Sequence, residues 1–172
     1  YLNNVEKAID SYSRSIVYFE NSKDSMGLAN VYGTLGNLFY RNKNFSDASS
    51  YYFKSYNLFN ELKNEYGKAI AKMNIGNCFK RSGDYDSAHV YYLDAYELFD
   101  SKTNSPTYKA QCLANLGNLF LDLSNFQKAE KYLLIADSIF KETNNQYSLA
   151  LVNISLSYTY LYTNKIEKAK SL

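Results

Sequence analysis

The stretch LANVYGTLGNLFYRNKNFSDASSYYFKSYNLF, residues 28–59, has a counterpart forty residues on in KAIAKMNIGNCFKRSGDYDSAHVYYLDAYELF, residues 68–99. The two align without a gap: Leu35-Gly36, Phe39, Ala48, Tyr52 and Phe59 become Ile75-Gly76, Phe79, Ala88, Tyr92 and Phe99. Outward from this pair, Ala8, Ala48, Ala88, Ala129 and Ala169 follow one another at 40, 40, 41 and 40 residues. Phe19, Phe59, Phe99 and Phe140 keep the same step, as do Phe39, Phe79, Phe120 and Tyr160, and the pairs Leu116-Gly117 and Leu156-Ser157. The one extra residue falls in Asp100–Ser105, where a loop absorbs it at small entropic cost. Several independent series held in phase make a tandem array.

Within each period, apolar residues recur at helical spacing. Leu28, Val31, Tyr32, Leu35, Leu38 and Phe39 form one stripe; Ala48, Tyr52, Ser55, Tyr56 and Phe59 form a second. A short polar turn separates them, as in Asn42-Lys43-Asn44 or Ser82-Gly83-Asp84. Asn4, Asn44, Asp84 and Asn125 stand where a second helix begins, and their side chains suit an N-cap. Ser105-Pro106 has the order of an N-cap followed by a first-turn proline. Each unit therefore reads as a helix–turn–helix hairpin. Gly36, Gly76 and Gly117 fall inside helices, where each costs about 1 kcal/mol relative to alanine. Such glycines imply that the paired helix passes close to the backbone.

Composition narrows the function. The 172 residues carry 19 Lys+Arg against 17 Asp+Glu, one His, two Cys, one Pro, and 19 Tyr with 10 Phe but no Trp. A net charge of +2 supplies no field for nucleic acid or an anionic membrane surface. One histidine and two separated cysteines form neither a structural zinc site nor a disulfide scaffold. No unbroken apolar run reaches the roughly 18 residues of a membrane span, and no signal-peptide pattern opens the chain. Cys78 and Cys112 lie in apolar stripes and read as core residues; His89 is expected on an outward face. Asp84, Asp86 and Asp94 fit capping and solvation. With no phosphate loop and no nucleophile–base pair, the expectation is a chain that is not an enzyme and uses no cofactor or metal.

The pattern resembles the tetratricopeptide repeat family, whose marks are a bulky residue, Leu-Gly and an aromatic in the first helix, then Ala, an aromatic and Ala in the second. They read here as Tyr32, Leu35, Gly36, Phe39, Ala48, Tyr52, Ser55; then Lys72, Ile75, Gly76, Phe79, Ala88, Tyr92, Ala95; then Leu113, Leu116, Gly117, Phe120, Ala129, Leu133, Ala136. The family's usual period is 34, so a period of 40 calls for longer helices, as in the repeats of bacterial signalling regulators and polarity-complex adaptors. The resemblance implies an all-α, right-handed superhelical solenoid of antiparallel hairpins. One array over residues 1–172 is expected, with a half unit at 1–28, full units at 29–68, 69–109 and 110–149, and a partial unit at 150–172. Such a layout reads as a fragment of a longer protein.

In the family the first helices line a concave groove, and the residue after Leu-Gly points into it. Here that residue is Asn37, Asn77, Asn118 and then Tyr158, with Asn74 and Asn115 expected on the same face. An amide offers both a donor and an acceptor, which suits either a bound peptide backbone or a bond between neighbouring helices. Tyr40-Arg41 and Lys80-Arg81 would make one part of the groove cationic, or else simply complement the helix dipole at a C-terminus. Gly33 and Met73 stand where the carboxylate clamp of chaperone-binding members needs Lys. The resemblance thus implies a protein-interaction module that captures a peptide or partner segment, one with acidic residues matching the cationic part, with no direct contact to nucleic acid or membrane. It further implies the scaffolding or sensory part of a larger bacterial regulator. The rival reading is a structural spacer, or a segment that self-associates into homo-oligomers through uncapped ends. Free thiols and the lack of a leader favour a cytoplasmic location over an extracytoplasmic one.

Overall fold

A computed structural model describes the chain at residues 2–170, with side chains placed for residues 5–169. The described residues form nine α-helices and no strand: α1 (Leu2–Asn21), α2 (Ser25–Arg41), α3 (Phe45–Glu61), α4 (Glu65–Ser82), α5 (Tyr85–Ser101), α6 (Pro106–Asp122), α7 (Phe126–Glu142), α8 (Gln146–Tyr162) and α9 (Ile166–Lys170). Two 17-residue helices and two three-residue links fill a period of forty, which is why this repeat is longer than 34. The hairpins open at Ser25, Glu65, Pro106 and Gln146. That is one turn ahead of boundaries at 29, 69, 110 and 150, because Asp24, Asn64, Ser105 and Asn145 already act as the helix N-termini. At the other end of the sequence, α1 is already helical at Leu2, ahead of the expected cap Asn4, whose side chain lies outside the described residues.

The links share one plan. The residue before the last adopts a left-handed conformation, at Lys23, Lys43, Lys63, Asn104, Ser124, Asn144 and Asn164 (φ between 46° and 61°), and at Gly83 (φ 86°). The next residue's backbone N–H then donates to an aromatic residue's carbonyl in the last helical turn. These bonds run from Asp24 to Phe19, Asn44 to Phe39, Asn64 to Phe59, Asp84 to Phe79, Ser105 to Phe99, Asn125 to Phe120, Asn145 to Phe140 and Lys165 to Tyr160, at 2.8–3.0 Å. In seven of the links two otherwise orphaned carbonyls are satisfied in this Schellman arrangement, while the longer link reaches from Ser105 to Phe99 over one more residue and turns the Thr103 N–H to the Leu98 carbonyl. The same Asp or Asn then turns its side chain forward and accepts from the third residue of the following helix. The acceptors are Asp24, Asn44, Asn64, Asp84, Asn125 and Asn145, at 2.8–3.2 Å. One residue thus closes one helix and opens the next. Ser105 departs from this: its hydroxyl engages Thr103 and makes no cap, and Pro106 needs none for its missing N–H. That link is the four-residue one, and Lys109 braces it with an ion pair to Asp100 at 2.5 Å.

The chain divides into two compact units, Tyr1–Tyr91 and Tyr92–Leu172, with the boundary inside α5. In the first unit, Tyr52 of α3 lies against Gly36 of α2 and joins Ala48, Ile75 and Cys78 in a buried cluster. A β-carbon on Gly36 would come 2.5 Å from the Tyr52 ring, which confirms the close approach that the glycine implied. Ser55 of α3 donates to the Ala29 carbonyl at 2.8 Å, a further tie across the hairpin. The rings of Phe19 and Phe59 occupy the space that side chains on Gly27 and Gly67 would need. In the second unit, Leu133 takes the place of Tyr52 and packs on Gly117. Phe99 meets the ring of Tyr108 at 5.2 Å where its counterpart Phe59 meets bare backbone. One stack recurs in three hairpins: Phe39 on Tyr51, Phe79 on Tyr91 and Phe120 on Tyr132, with centroids 5.3–5.5 Å apart. Most of the aromatic load is therefore packing between helices.

Glycine carries opposite signs at two positions of one hairpin. Gly36→Ala is expected to lower the urea or thermal midpoint, at a cost of about 1–3 kcal/mol, because Tyr52 is pinned and cannot retreat. Lys43→Gly removes left-handed strain and is expected to raise stability by roughly 0.5–1 kcal/mol. Equal or inverted shifts would refute both assignments.

Candidate binding face of the first helices

In the first unit the expected face is divided among different tasks. Asn37 is exposed, yet its Oδ1 accepts from the buried Tyr52 hydroxyl at 2.8 Å. Its acceptor thus serves the hairpin, and the bond runs within one hairpin. Arg81 is exposed and lies over the ring of Phe45 at 5.5 Å. Tyr40 meets the same ring edge-on at 5.4 Å. Burial raises the Tyr40 phenol above its ordinary value, with Arg81 opposing. Arg81 is therefore a cation held against an aromatic. Arg41 is exposed in the last turn of α2, where a positive charge complements the dipole. Asn74, Asn77 and Lys80 are half-buried along α4.

In the second unit a cleft of about 70 Å³ runs between α6 and α8. Gln111, Ala114, Asn115 and Asn118 form one wall, and Ser148, Leu151 and Val152 the other, with Phe140 at the base. The structure brings Asn115 and Asn118 together along this cleft and adds Gln111, one turn before Asn115. The i, i+4, i+7 spacing of these three amides was readable in the sequence. Asn118 corresponds to Asn37, and Leu133 to Tyr52. With leucine there, no hydroxyl reaches across to hold the Asn118 amide. Tyr158 does not line the cleft. It is 55% exposed and its ring sits 5.1 Å from that of Tyr162, which in turn stacks on Phe126 at 5.1 Å. The hydrogen bond with Tyr158 raises the Tyr162 phenol above its ordinary value. Tyr162 on Phe126 repeats, with a ring in place of a guanidinium, the seat of Arg81 on Phe45.

Among the described residues no group of three or more His, Cys, Asp or Glu side chains converges as metal ligands would, and no helix is long and apolar enough to cross a membrane. His89 is half-buried, against the expectation of a solvated side chain. Asp84 is held below the usual carboxylate value by its hydrogen bonds from Ser87, as a cap should be.

The tetratricopeptide repeat family matches residues 67–142. No curated protein matches the sequence. Among solved structures, BtubC from P. vanneervenii superposes with a TM-score of 0.86 at 21% identity, over 98% of this chain and 70% of its own. Aspartyl phosphate phosphatase F from Bacillus subtilis gives 0.90 at 18% identity, over 99% and 46%. A Rap protein in complex with competence and sporulation factor gives 0.86 at 19%, over 99% and 47%. The chain thus spans less than half the length of the last two. At these identities the likeness is one of fold.

Both cysteines are buried, and burial pushes each thiol up to about 12 from 9.0. The folded state favours the neutral thiol, so this contribution to stability is complete below about pH 9 and is lost as pH rises toward 12. At pH 8 a thiol-reactive disulfide reagent is expected to leave the folded protein nearly unmodified and to titrate two thiols per chain in denaturant. Cys78, which lines a hollow with Phe45, Ser49 and Phe79, is expected to react before Cys112. Rapid reaction of Cys112 in the folded protein would contradict the placement.

Proposed function

We propose that this chain, which carries tetratricopeptide repeats, is a protein-interaction module whose first helices hold an extended peptide segment of a partner. The observation behind this reading is the α6–α8 cleft, where Gln111, Asn115 and Asn118 face an apolar wall of Leu151 and Val152. Amides in a row present donors and acceptors at the spacing of a helical turn. They suit the alternating N–H and C=O groups of an extended backbone, while the apolar wall takes a side chain. Asn118 is the residue best supported for this role, since the hydroxyl that occupies Asn37 has no equivalent beside it. In the first unit, Asn37 offers its amide nitrogen and Asn77 holds the corresponding position, and Arg41, Lys80 and Arg81 favour acidic side chains on the partner. Tyr158 offers an exposed ring outside the cleft. Binding of this kind involves no covalent chemistry.

The Rap protein complexed with competence and sporulation factor shows that a solenoid of this fold holds a ligand. We place the module within a larger signalling regulator on that likeness of fold, which carries no more than architecture. The phosphatase in the name of one neighbour is not carried over to this chain.

Selection of peptides from a displayed library against the 172-residue chain tests the reading directly. A selected peptide is expected to lose at least about tenfold in affinity with the paired change Asn115→Ala and Asn118→Ala, at unchanged helicity, as for a central polar contact. Failure to select any peptide, or binding indifferent to these substitutions, would sink the proposal.

A further inference from the structure

One series of the second helices reads Tyr12, Tyr52, Tyr92 and then Leu133, and the first-helix series that goes with it reads Asn37, Asn77 and Asn118. The aromatic is dropped once, and the asparagine is kept there. Tyr52 and Leu133 hold the same seat: a β-carbon on Gly36 would come 2.5 Å from the Tyr52 ring, and one on Gly117 would come 2.6 Å from Leu133. Both side chains are buried. They differ in what they present to the first helix. The Tyr52 hydroxyl donates to Asn37 Oδ1 at 2.8 Å. Leucine has nothing to donate, and the Asn118 carboxamide makes no hydrogen bond among the described residues. A second departure falls at the same place. Gly67 lets α4 lie with bare backbone on the Phe59 ring, where a β-carbon would collide with it. The counterpart of Gly67 on α8 is Ser148, and the counterpart of Phe59 is Phe140; both line the α6–α8 cleft together with Asn118. The walls and the base of this cleft all belong to described helices.

We infer that Leu133 is a specificity-determining positioning residue, which acts from beneath the surface by leaving the Asn118 amide open to the main chain of a bound extended segment. The inference rests on the proposed role of the α6–α8 cleft in peptide capture. Leu133 is buried and touches no ligand itself; it selects the repeat at which the backbone is read. A carboxamide carries two N–H donors and an oxygen with two acceptor sites. At Asn118 all of these are available, and the side chain is free to turn toward an N–H or a C=O of the segment. At Asn37 the oxygen is tied to the hairpin and the tie fixes the orientation of the amide. A tyrosine at position 133 would rest on Gly117 as Tyr52 rests on Gly36, and its hydroxyl would tie Asn118 in the same way.

Side-chain amide relaxation in the isotope-labelled 172-residue chain should find Asn37 ordered and Asn118 mobile on the picosecond-to-nanosecond scale. Leu133→Tyr should order the Asn118 amide to the level of Asn37. Leu133→Phe, which adds the same ring without the hydroxyl, should not. Tyr52→Phe, which removes one atom and adds none, should loosen Asn37 in return. For a peptide selected against the unaltered chain, Leu133→Tyr should weaken binding at least about tenfold and Leu133→Phe less than about threefold, at unchanged helicity by circular dichroism. Equal losses in the two variants, or a Leu133→Tyr protein that binds as tightly as the unaltered chain, would overturn the proposal. An Asn118 amide that starts as ordered as Asn37, or that Leu133→Tyr leaves unmoved, would overturn it whether or not a peptide is found. Amide ordering as expected with no peptide selected would instead tell against peptide capture alone.

Discussion

A helix that ends after seventeen residues leaves carbonyls without partners, and one that starts three residues later leaves amides without partners. This chain meets both demands with a single residue. The backbone N–H of Asn44 closes α2 on the carbonyl of Phe39, and its side chain opens α3 at Asp47. The left-handed residue between makes the reversal tight enough for this double service. Because each link is closed by local hydrogen bonds, the link itself fixes the direction of the helix that follows it. The aromatic series then meets the same neighbours in hairpin after hairpin. Phe39, Phe79 and Phe120 find Tyr51, Tyr91 and Tyr132 because the links deliver them there.

The period, the hairpins and the packing role of the aromatics were legible because each repeats and so shows above the noise of one sequence. The glycine reading held for the same reason, since Gly36 and Gly117 recur and both press on a second-helix side chain. Less legible was the likeness between the two kinds of link. Asp24, Asn64 and Asn145 cap first helices as Asn44 and Asn125 cap second ones, so the array steps in twenties as well as forties. Glycine usually marks a left-handed position, and here only Gly83 does, while lysines, serine and asparagines adopt it elsewhere. Residue type could not reveal that, because the conformation is imposed by the two helices it joins.

The binding face was legible as a list and illegible as an allocation. Sequence placed Asn37 and Asn118 in equivalent positions, and they remain so. What separates them is a residue on the paired helix, Tyr52 in one case and Leu133 in the other. A hydroxyl 2.8 Å away converts a surface amide into part of the hairpin. Arg81 follows the same logic, since its freedom depends on Phe45, thirty-six residues earlier. Repeated scaffolds specialise in this way, by changing the partner of a position while the position itself is kept.

The four-residue link between α5 and α6 bears on how such chains vary in length. One residue added within a helix would turn everything after it by about 100° and move the apolar stripe off the core. Added at residues 102–105 it leaves Phe120, Ala129 and Phe140 in their places, one number later. A change of length is therefore accommodated at a joint, where the helices keep their faces, and is costly within a helix. Sequences of this kind are best compared helix by helix, with gaps admitted only between an aromatic and the Asn, Asp or Ser that follows it. An alignment run end to end would read each joint as a loss of similarity that the folded chain never experiences.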